Sequence, residues 1–429
     1  MSEETDSRRK YKTFASLREQ KGFEIARDSN AIRYLDSGQF AVRSQTGHGE
    51  YIVNINNEGD ATKCTCQDYE SGAKQCKHMA AIMFRVWKSS DLLQMPPPLP
   101  RKTYTQDWHS YNAAQFAERK LFPIFLHDLL NAVEEPVQAF GRPWIPLREA
   151  LFCAIIKVGA KATCRQSRGE YERFAEEGLL SAKRGYVISS KVLNREDITP
   201  ILHELITTSA MPLSSLETQF AVDSSGFRTT RFNSYAREKY GLGRCHVWLK
   251  AHAVTGVKTH TIVKVRITEA NGPDSPQFIP LVRGVVSAGF TIEDVYADMA
   301  YCSRKHFDLA DRLTFEFHVP FPSNSTGKSK GCLAYSRAFH YFQSKRKEFE
   351  EEYHLRSNVE SVFSAIKMKS GETLVSHKKV AQMNELLAKI IYYNITVLIH
   401  EMYEHGIIPT FLQDDHPEIL KEISYTNML

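Results

Sequence analysis

The sequence predicts an α/β protein whose C-terminal half is a mixed sheet flanked by helices, preceded by a helical domain and a small β-rich module. Three observations predict it. After Thr218 apolar runs of strand length alternate with helical patterns; from Ala113 to about Pro212 the apolar residues recur at helical spacing; and two short β-type runs stand just ahead of a cysteine/histidine cluster.

In chain order, GQFAVRSQ and EYIVNI, between Ala31 and Asn57, read as two strands joined by the turn-rich TGHG. A helix follows the cluster from about Lys77 to Ser89, with Met79, Ile82, Met83 and Val86 on one stripe. The proline run MPPPLPRK, Met95 to Lys102, reads as a semi-rigid linker. The expected division is residues 1–92, a linker at 93–112, a helical region at 113–217, and a sheet-containing domain at 218–429.

The helical region contains AQFAERKLFPIFLHDLLNAV, LREALFCAIIKVGA and NREDITPILHELITT, the last with Asn194 as its expected N-cap. Basic residues gather between them (Lys157, Lys161, Arg165, Arg168, Lys183, Arg184), either facing DNA, which would make 113–217 a DNA-binding region, or forming a solvated face. Beyond Thr218, QFAVDSSGF, HVWLKAHAV and TIVKVRI suggest a three-stranded meander. PQFIPLVRGVVSAG then reads as a helix, VYADMA as a strand, CSRKHFDLADR as a helix and TFEFHVPF as a strand. That order is the order of a ribonuclease H-like sheet.

Composition narrows the functional classes. With 42% hydrophobic and 24% charged residues the chain has ample core material, and its net charge of +5 is compatible with a polyanion without requiring one. The N-terminal MSEETDSRRKYK lacks the apolar stretch of a secretory signal. The most apolar segment, Leu386 to Met402, is broken by Lys389, Asn394, His400 and Glu401 and reads as a buried helix, so no membrane partner is expected. Of eight cysteines, Cys153, Cys164, Cys245, Cys302 and Cys332 are isolated and read as reduced thiols.

The other three, with one histidine, form C-x-C, nine residues, C-x-H: Cys64, Cys66, Cys76 and His78. Zn²⁺ favours tetrahedral thiolate and imidazole ligands, and two close pairs joined by a loop containing Gly72 can close on one ion. Four protein ligands leave no place for water, so the expected single zinc is structural. The spacing and the preceding strands resemble the SWIM zinc finger, over about the first ninety residues. The resemblance implies a DNA- or protein-binding module.

Hydrolysis of a DNA phosphodiester needs an activated oxygen, a stabilised leaving oxygen and neutralised charge, which two Mg²⁺ ions about 4 Å apart supply when held by carboxylates. Asp223 lies inside the first apolar run, where a lone carboxylate is costly unless it meets a cation, and Asp298 lies in VYADMAYC, at the end of the fourth expected strand. In EEYHLRSNVESVFSAIKMKSG, the residues Tyr353, Arg356, Glu360 and Lys367 stand at offsets of three, seven and fourteen. On one α-helix they fall within roughly 60° of each other, with Leu355, Val359, Val362, Phe363 and Ile366 on a separate sector. The plainer alternative is a surface helix with an ordinary Arg356–Glu360 pair.

The pattern Y-x2-R-x3-E-x6-K resembles the signature of insertion-sequence DDE transposases, as do DSSG at Asp223, D-x-x-Y at Asp298 and Tyr301, and the loop VPFPSN. The likeness spans roughly Phe220 to Met402. It implies that Asp223, Asp298 and Glu360 hold two catalytic Mg²⁺ or Mn²⁺ ions, and that Tyr353, Arg356 and Lys367 contact DNA phosphates. It further implies an enzyme that cleaves the inverted-repeat ends of its element and joins the 3′-hydroxyl to target DNA. The expected partner is double-stranded DNA, bound by a homodimer or higher assembly, in the cytoplasm and, in a prokaryote, at the nucleoid. Between Asp298 and Glu360 the sequence offers only one strand, a loop and a basic stretch (Arg337, Lys345, Arg346, Lys347). That departs from members carrying a β-rich insertion there and puts a hairpin mechanism in doubt. Two other readings remain: a catalytically inactive DNA-binding regulator, and a ribonuclease H-fold nuclease without strand transfer.

Overall fold

The computed structural model describes residues 17–87 (apart from 29, 36–37, 46–48, 57–59 and 74), 107–229 and 248–412. The proline run and Cys245 lie outside the described residues. Two compact units divide the chain, residues 1–104 and 105–429.

In the first unit, β1 (Ile32–Tyr34), β2 (Gln39–Arg43), β3 (Glu50–Ile55) and β4 (Ala61–Cys64) form an antiparallel sheet in that order. Two strands are expected from the sequence and four are found. The added β1 and β4 are three and four residues long and largely exposed, so neither carries the apolar alternation that marks a strand. Val42 and Val53, fully buried, carry the sheet's inner face. Against it lie α1 (Leu17–Arg27) and α3 (Lys77–Trp87), with a single turn, α2 (Gln67–Glu70), between β4 and α3. Met79 and Ile82 of the expected stripe are buried and Met83 is half-buried. The two helices meet at Gly22: a Cβ there would stand 2.5 Å from the Ala80 Cβ and 2.7 Å from the Lys77 carbonyl.

The second unit begins with helices α4 (Trp108–Leu130), α5 (Leu147–Gly159), α6 (Ser167–Glu176), α7 (Ile188–Leu193) and α8 (Ile198–Ala210). Asn194 does not begin α8. It ends α7, its Nδ2 donating to the Ser190 carbonyl at 2.7 Å, and Asp197 precedes α8. An amide side chain can serve a helix end by donating to a freed carbonyl as well as by accepting from a freed N–H, and here it donates.

Strands β5 (Gln219–Arg228), β6 (Trp248–Gly256) and β7 (Ile262–Glu269) form an antiparallel meander. α9 (Ser275–Ser287) leads to β8 (Asp294–Ala297), and α10 (Arg304–Leu313) leads to β9 (Glu316–His318). The five strands stand in the order β7-β6-β5-β8-β9, with β8 parallel to β5 and β9 parallel to β8. After β9 come α11 (Leu333–Ser344), α12 (Arg346–Tyr353), α13 (Ser357–Ser370) and α14 (Lys379–His405). β9 is the one strand between Asp298 and Glu360, as expected. The basic stretch there lies on two helices and the junction between them, and is largely paired, Arg337 with Asp311, Lys345 with Glu348 and Arg346 with Glu350.

Alternation along β5 assigns two faces. Phe220 and Val222 pack with Phe278, Leu281 and Val285 of α9, whereas Ala221 and Phe227 pack with Val362 and Ile366 of α13 and with residues of α4, α5, α8 and α14. The helices of the 107–210 stretch therefore share one apolar core with the second face of the sheet. α14 runs through that core, and two of its interrupting polar residues, Lys389 and Asn394, are hydrogen-bonded to backbone there. Lys389 donates to the Gly371 and Thr373 carbonyls at 2.7 and 2.9 Å, and Asn394 exchanges bonds with both backbone groups of Ile262 at 3.0 and 2.7 Å. Among the described residues no helix is long and apolar enough to cross a membrane.

Candidate metal centre and carboxylate site

In the first unit, β4 ends at Cys64, Cys66 begins α2, and Cys76 and His78 stand at the start of α3. All four are buried, and one ligand atom from each lies within 4.8 Å of the others. The His78 Nδ1 is 3.9 Å from the Cys64 Sγ and 4.0 Å from the Cys76 Sγ. A tetrahedron with bonds of about 2.0–2.3 Å has edges of roughly 3.3–3.8 Å, so the set fits one zinc ion after a small contraction. Hydrogen bonding from Cys64 drives the Cys76 thiol down to about 4, with further help from His78 and the Met79 N–H, and the shared proton drives Cys64 up. Thiolate character is thus available to a soft cation. The Tyr51 ring packs against the His78 ring at 4.5 Å, tilted by 32°.

In the second unit the parallel register of β5 and β8 pairs Val222 with Ala297, so the next position places Asp223 beside Asp298. Both lie on the face that packs against α13. Glu360 sits in the first turn of α13. Asp223 is held by the Ser224 N–H at 2.8 Å and by Arg356 Nη2 at 2.9 Å, and Arg356 Nη1 reaches Glu360 at 3.0 Å. The Arg356–Glu360 pair weighed from the sequence is therefore present, but the same guanidinium also bridges to the first strand. The Asp298 side chain accepts from the Met299 N–H at 2.6 Å.

Burial raises Asp223 above the usual carboxylate range, and the like charges of Asp298 and Glu360 add to it, against the Ser224 N–H and Arg356. Among the described residues the three carboxylates do not all bring oxygens within 4.8 Å of one another. Hard oxygen donors at neighbouring strand ends, with a buried member disfavoured as a bare anion, suit Mg²⁺ or Mn²⁺.

The signature segment is not one α-helix. Tyr353 ends α12, His354–Arg356 form a 3-10 turn, and Glu360 and Lys367 lie on α13. The Ser357 hydroxyl donates to the His354 carbonyl at 2.9 Å, a local bond that competes with the regular ladder. Tyr353 stacks on Phe349 at 5.4 Å, and burial pushes its phenol up to about 12. Lys367 donates to Ser225 Oγ at 2.8 Å, lies 5.3 Å from the Phe227 ring centre and is lowered chiefly by burial.

Sequence reasoning missed the support behind Asp223. Ser224 points to the opposite face, donating to Asp274 at 2.8 Å, and Asp274 also receives Lys250 at 2.7 Å. The serine of DSSG was visible, but its partner lies fifty residues away. In the helical region three of the six basic residues meet acids, Arg168 with Glu172, Lys183 with Glu176 and Arg184 with Glu149, and Lys161 donates to the Met368 carbonyl.

Comparison with known proteins agrees with the division of chemistry. Residues 214–395 match the transposase DDE domain, and residues 51–86 match the SWIM zinc finger. The chain therefore carries a DDE transposase domain with an N-terminal SWIM finger. No curated protein matches. Among solved structures, a piggyBac transposase synaptic complex with hairpin DNA aligns over 78% of this chain and 84% of that chain, at 8% identity and a TM-score of 0.32. At that identity and TM-score the likeness says nothing of this chain's chemistry.

Proposed function

We propose that the chain is an active DNA transposase that cleaves the ends of its element and joins the freed 3′-hydroxyl to target DNA. The observation that carries the reading is the placement of Asp223 beside Asp298 at the ends of parallel strands, on the face where Arg356 ties Asp223 to Glu360. The order β7-β6-β5-β8-β9 supports reading the sheet as ribonuclease H-like.

Asp223, Asp298 and Glu360 are assigned as the ligands of two divalent cations. Bound there, such ions activate an oxygen nucleophile, stabilise the leaving oxygen and offset phosphate charge. Arg356 and Lys367 are cations beside that cluster and are assigned to the DNA backbone, with Tyr353 positioning the same strand. Cys64, Cys66, Cys76 and His78 are assigned to one structural zinc. Residues 113–217 and the zinc module are assigned to recognition of the inverted repeats. A dimer or larger assembly is expected because two ends are joined, acting in the cytoplasm or at the nucleoid.

The test is an in vitro cleavage and strand-transfer assay with Mg²⁺ on DNA from the gene's own flanks, comparing wild type with Glu360→Gln. Activity lost only in the variant supports the reading. Wild type that binds those ends and never cuts them, in Mg²⁺ or Mn²⁺, replaces it with a regulatory DNA-binding function.

A further inference from the structure

We propose that Arg356 is a built-in counter-ion that competes with divalent cations for Asp223 and Glu360, and releases both carboxylates when its guanidinium is drawn to a DNA phosphate. The inference rests on reading this site as a metal-dependent nuclease.

Two contacts define the competition. Arg356 Nη2 lies 2.9 Å from Asp223 Oδ2, and Nη1 lies 3.0 Å from Glu360 Oε1. One rigid fork thus spans a carboxylate from β5 and one from α13. A Mg²⁺ or Mn²⁺ ligand must approach to about 2.1 Å, and a divalent cation beside a guanidinium on the same oxygens meets strong like-charge repulsion. The two cations exclude each other.

The fork is also incompletely satisfied. The Arg356 Nε is buried and has no hydrogen-bond partner among the described residues, although buried donors are nearly always paired. Arg356 holds its carboxylates through its two terminal nitrogens, so the remaining donor is matched to an acceptor from outside. A phosphate binds arginine best through two parallel N–H groups and supplies oxygens for both Nε and a terminal nitrogen. Turning to such a partner breaks at least one carboxylate contact.

Charge makes the exchange cooperative. A phosphate arriving alone faces three carboxylates, and a metal ion arriving alone faces Arg356. Arriving together, each takes the partner the other needs. DNA and metal then bind with positive coupling, equal in both directions.

The test uses the full-length, zinc-loaded chain and follows free Mn²⁺ by its electron paramagnetic resonance signal, with and without a duplex from the gene's flanks. Without DNA, Arg356→Gln binds Mn²⁺ about tenfold or more tighter than wild type. DNA raises the wild-type affinity by a comparable factor and leaves that of the variant little changed. Arg356→Lys keeps the charge but cannot span both carboxylates; it gives an intermediate affinity and carries the test if Arg356→Gln does not fold. Affinity in the arginine variants equal to or weaker than wild type, with Asp223→Asn still abolishing binding, overturns the counter-ion role and spares the metal site. Mn²⁺ binding indifferent to Asp223→Asn overturns both.

Discussion

Gly22→Ala sets helix propensity against packing. In an isolated helix the change favours folding by about 1 kcal/mol, because glycine loses more backbone freedom. In α1 the new methyl stands 2.5 Å from the Ala80 Cβ, 2.7 Å from the Lys77 carbonyl and 2.9 Å from the Ala81 nitrogen. Two of those atoms are backbone, so no rotamer change relieves the clash. Reaching an ordinary carbon–carbon separation of about 3.6 Å requires α1 and α3 to part by roughly 1 Å. That also loosens the edge-on Phe23–Phe84 contact at 5.4 Å and the Arg85 bond to the Ala26 carbonyl at 2.8 Å. Overpacking of this kind costs about 1–3 kcal/mol, and the absence of a yielding side chain places it at the upper end, so packing wins by about 1–2 kcal/mol. For a module this small that lowers the melting temperature by roughly 5–15 °C. Since α3 carries Cys76 and His78, zinc should also leave faster to a chromogenic chelator. Thermal melts and zinc-release rates are measured on the full chain, alongside Ala80→Gly and the double variant Gly22→Ala/Ala80→Gly; with the closest contact gone, Gly22→Ala should cost less in the Ala80→Gly background than in wild type. An unchanged or raised melting temperature for Gly22→Ala would refute the reasoning.

Three further outcomes are expected. Cys76→Ser, or zinc removal by chelator, should unfold the first unit and leave the transition of the second in place, since the zinc cluster lies in a core of its own; identical calorimetric traces with and without chelator would contradict this. Asn394→Leu should destabilise the second unit by about 2–4 kcal/mol, because it strands the buried N–H and carbonyl of Ile262, and urea unfolding reads the change. Burial, with Glu404 and Glu217 nearby, pushes Glu401 up to about 8 from an ordinary 4.5. The folded state then keeps a proton that the unfolded chain releases, so stability is lost as pH rises from about 4.5 to 8. Glu401→Gln should remove that loss, gaining up to about 5 kcal/mol over wild type at pH 8 relative to pH 4.5; a gain independent of pH would show that Glu401 is not the group responsible.

Local chemistry made much of this protein legible from its sequence. Cys64, Cys66, Cys76 and His78 were readable as one cluster because each close pair is fixed by short-range geometry and the loop between them is brief. The strands β5 to β9 and the helices α9 and α10 between them were readable because each is a periodic run bounded by turn residues, whereas α11 stands where a loop and a basic stretch were expected. The offsets of Tyr353, Arg356, Glu360 and Lys367 suggested one α-helix, and the break at the 3-10 turn His354–Arg356, where the Ser357 hydroxyl bonds the His354 carbonyl, could not be read from them. Strands β1 and β4 escaped notice because their pairing, and not their own pattern, makes them strands.

Tertiary structure alone decided the rest. Asp223 and Asp298 are seventy-five residues apart, and only the parallel register of β5 with β8 sets them side by side. Arg356 had a visible partner four residues on, yet its second partner lies 133 residues back, on β5. The helices of residues 107–210 join one face of the sheet through α14, whose buried Asn394 and Lys389 bind backbone that no local pattern could name. Periodicity is set by neighbours along the chain, whereas register and side-chain reach are set by how whole elements pack. For that reason the sequence carries the ingredients of the site, and the fold determines which of them meet.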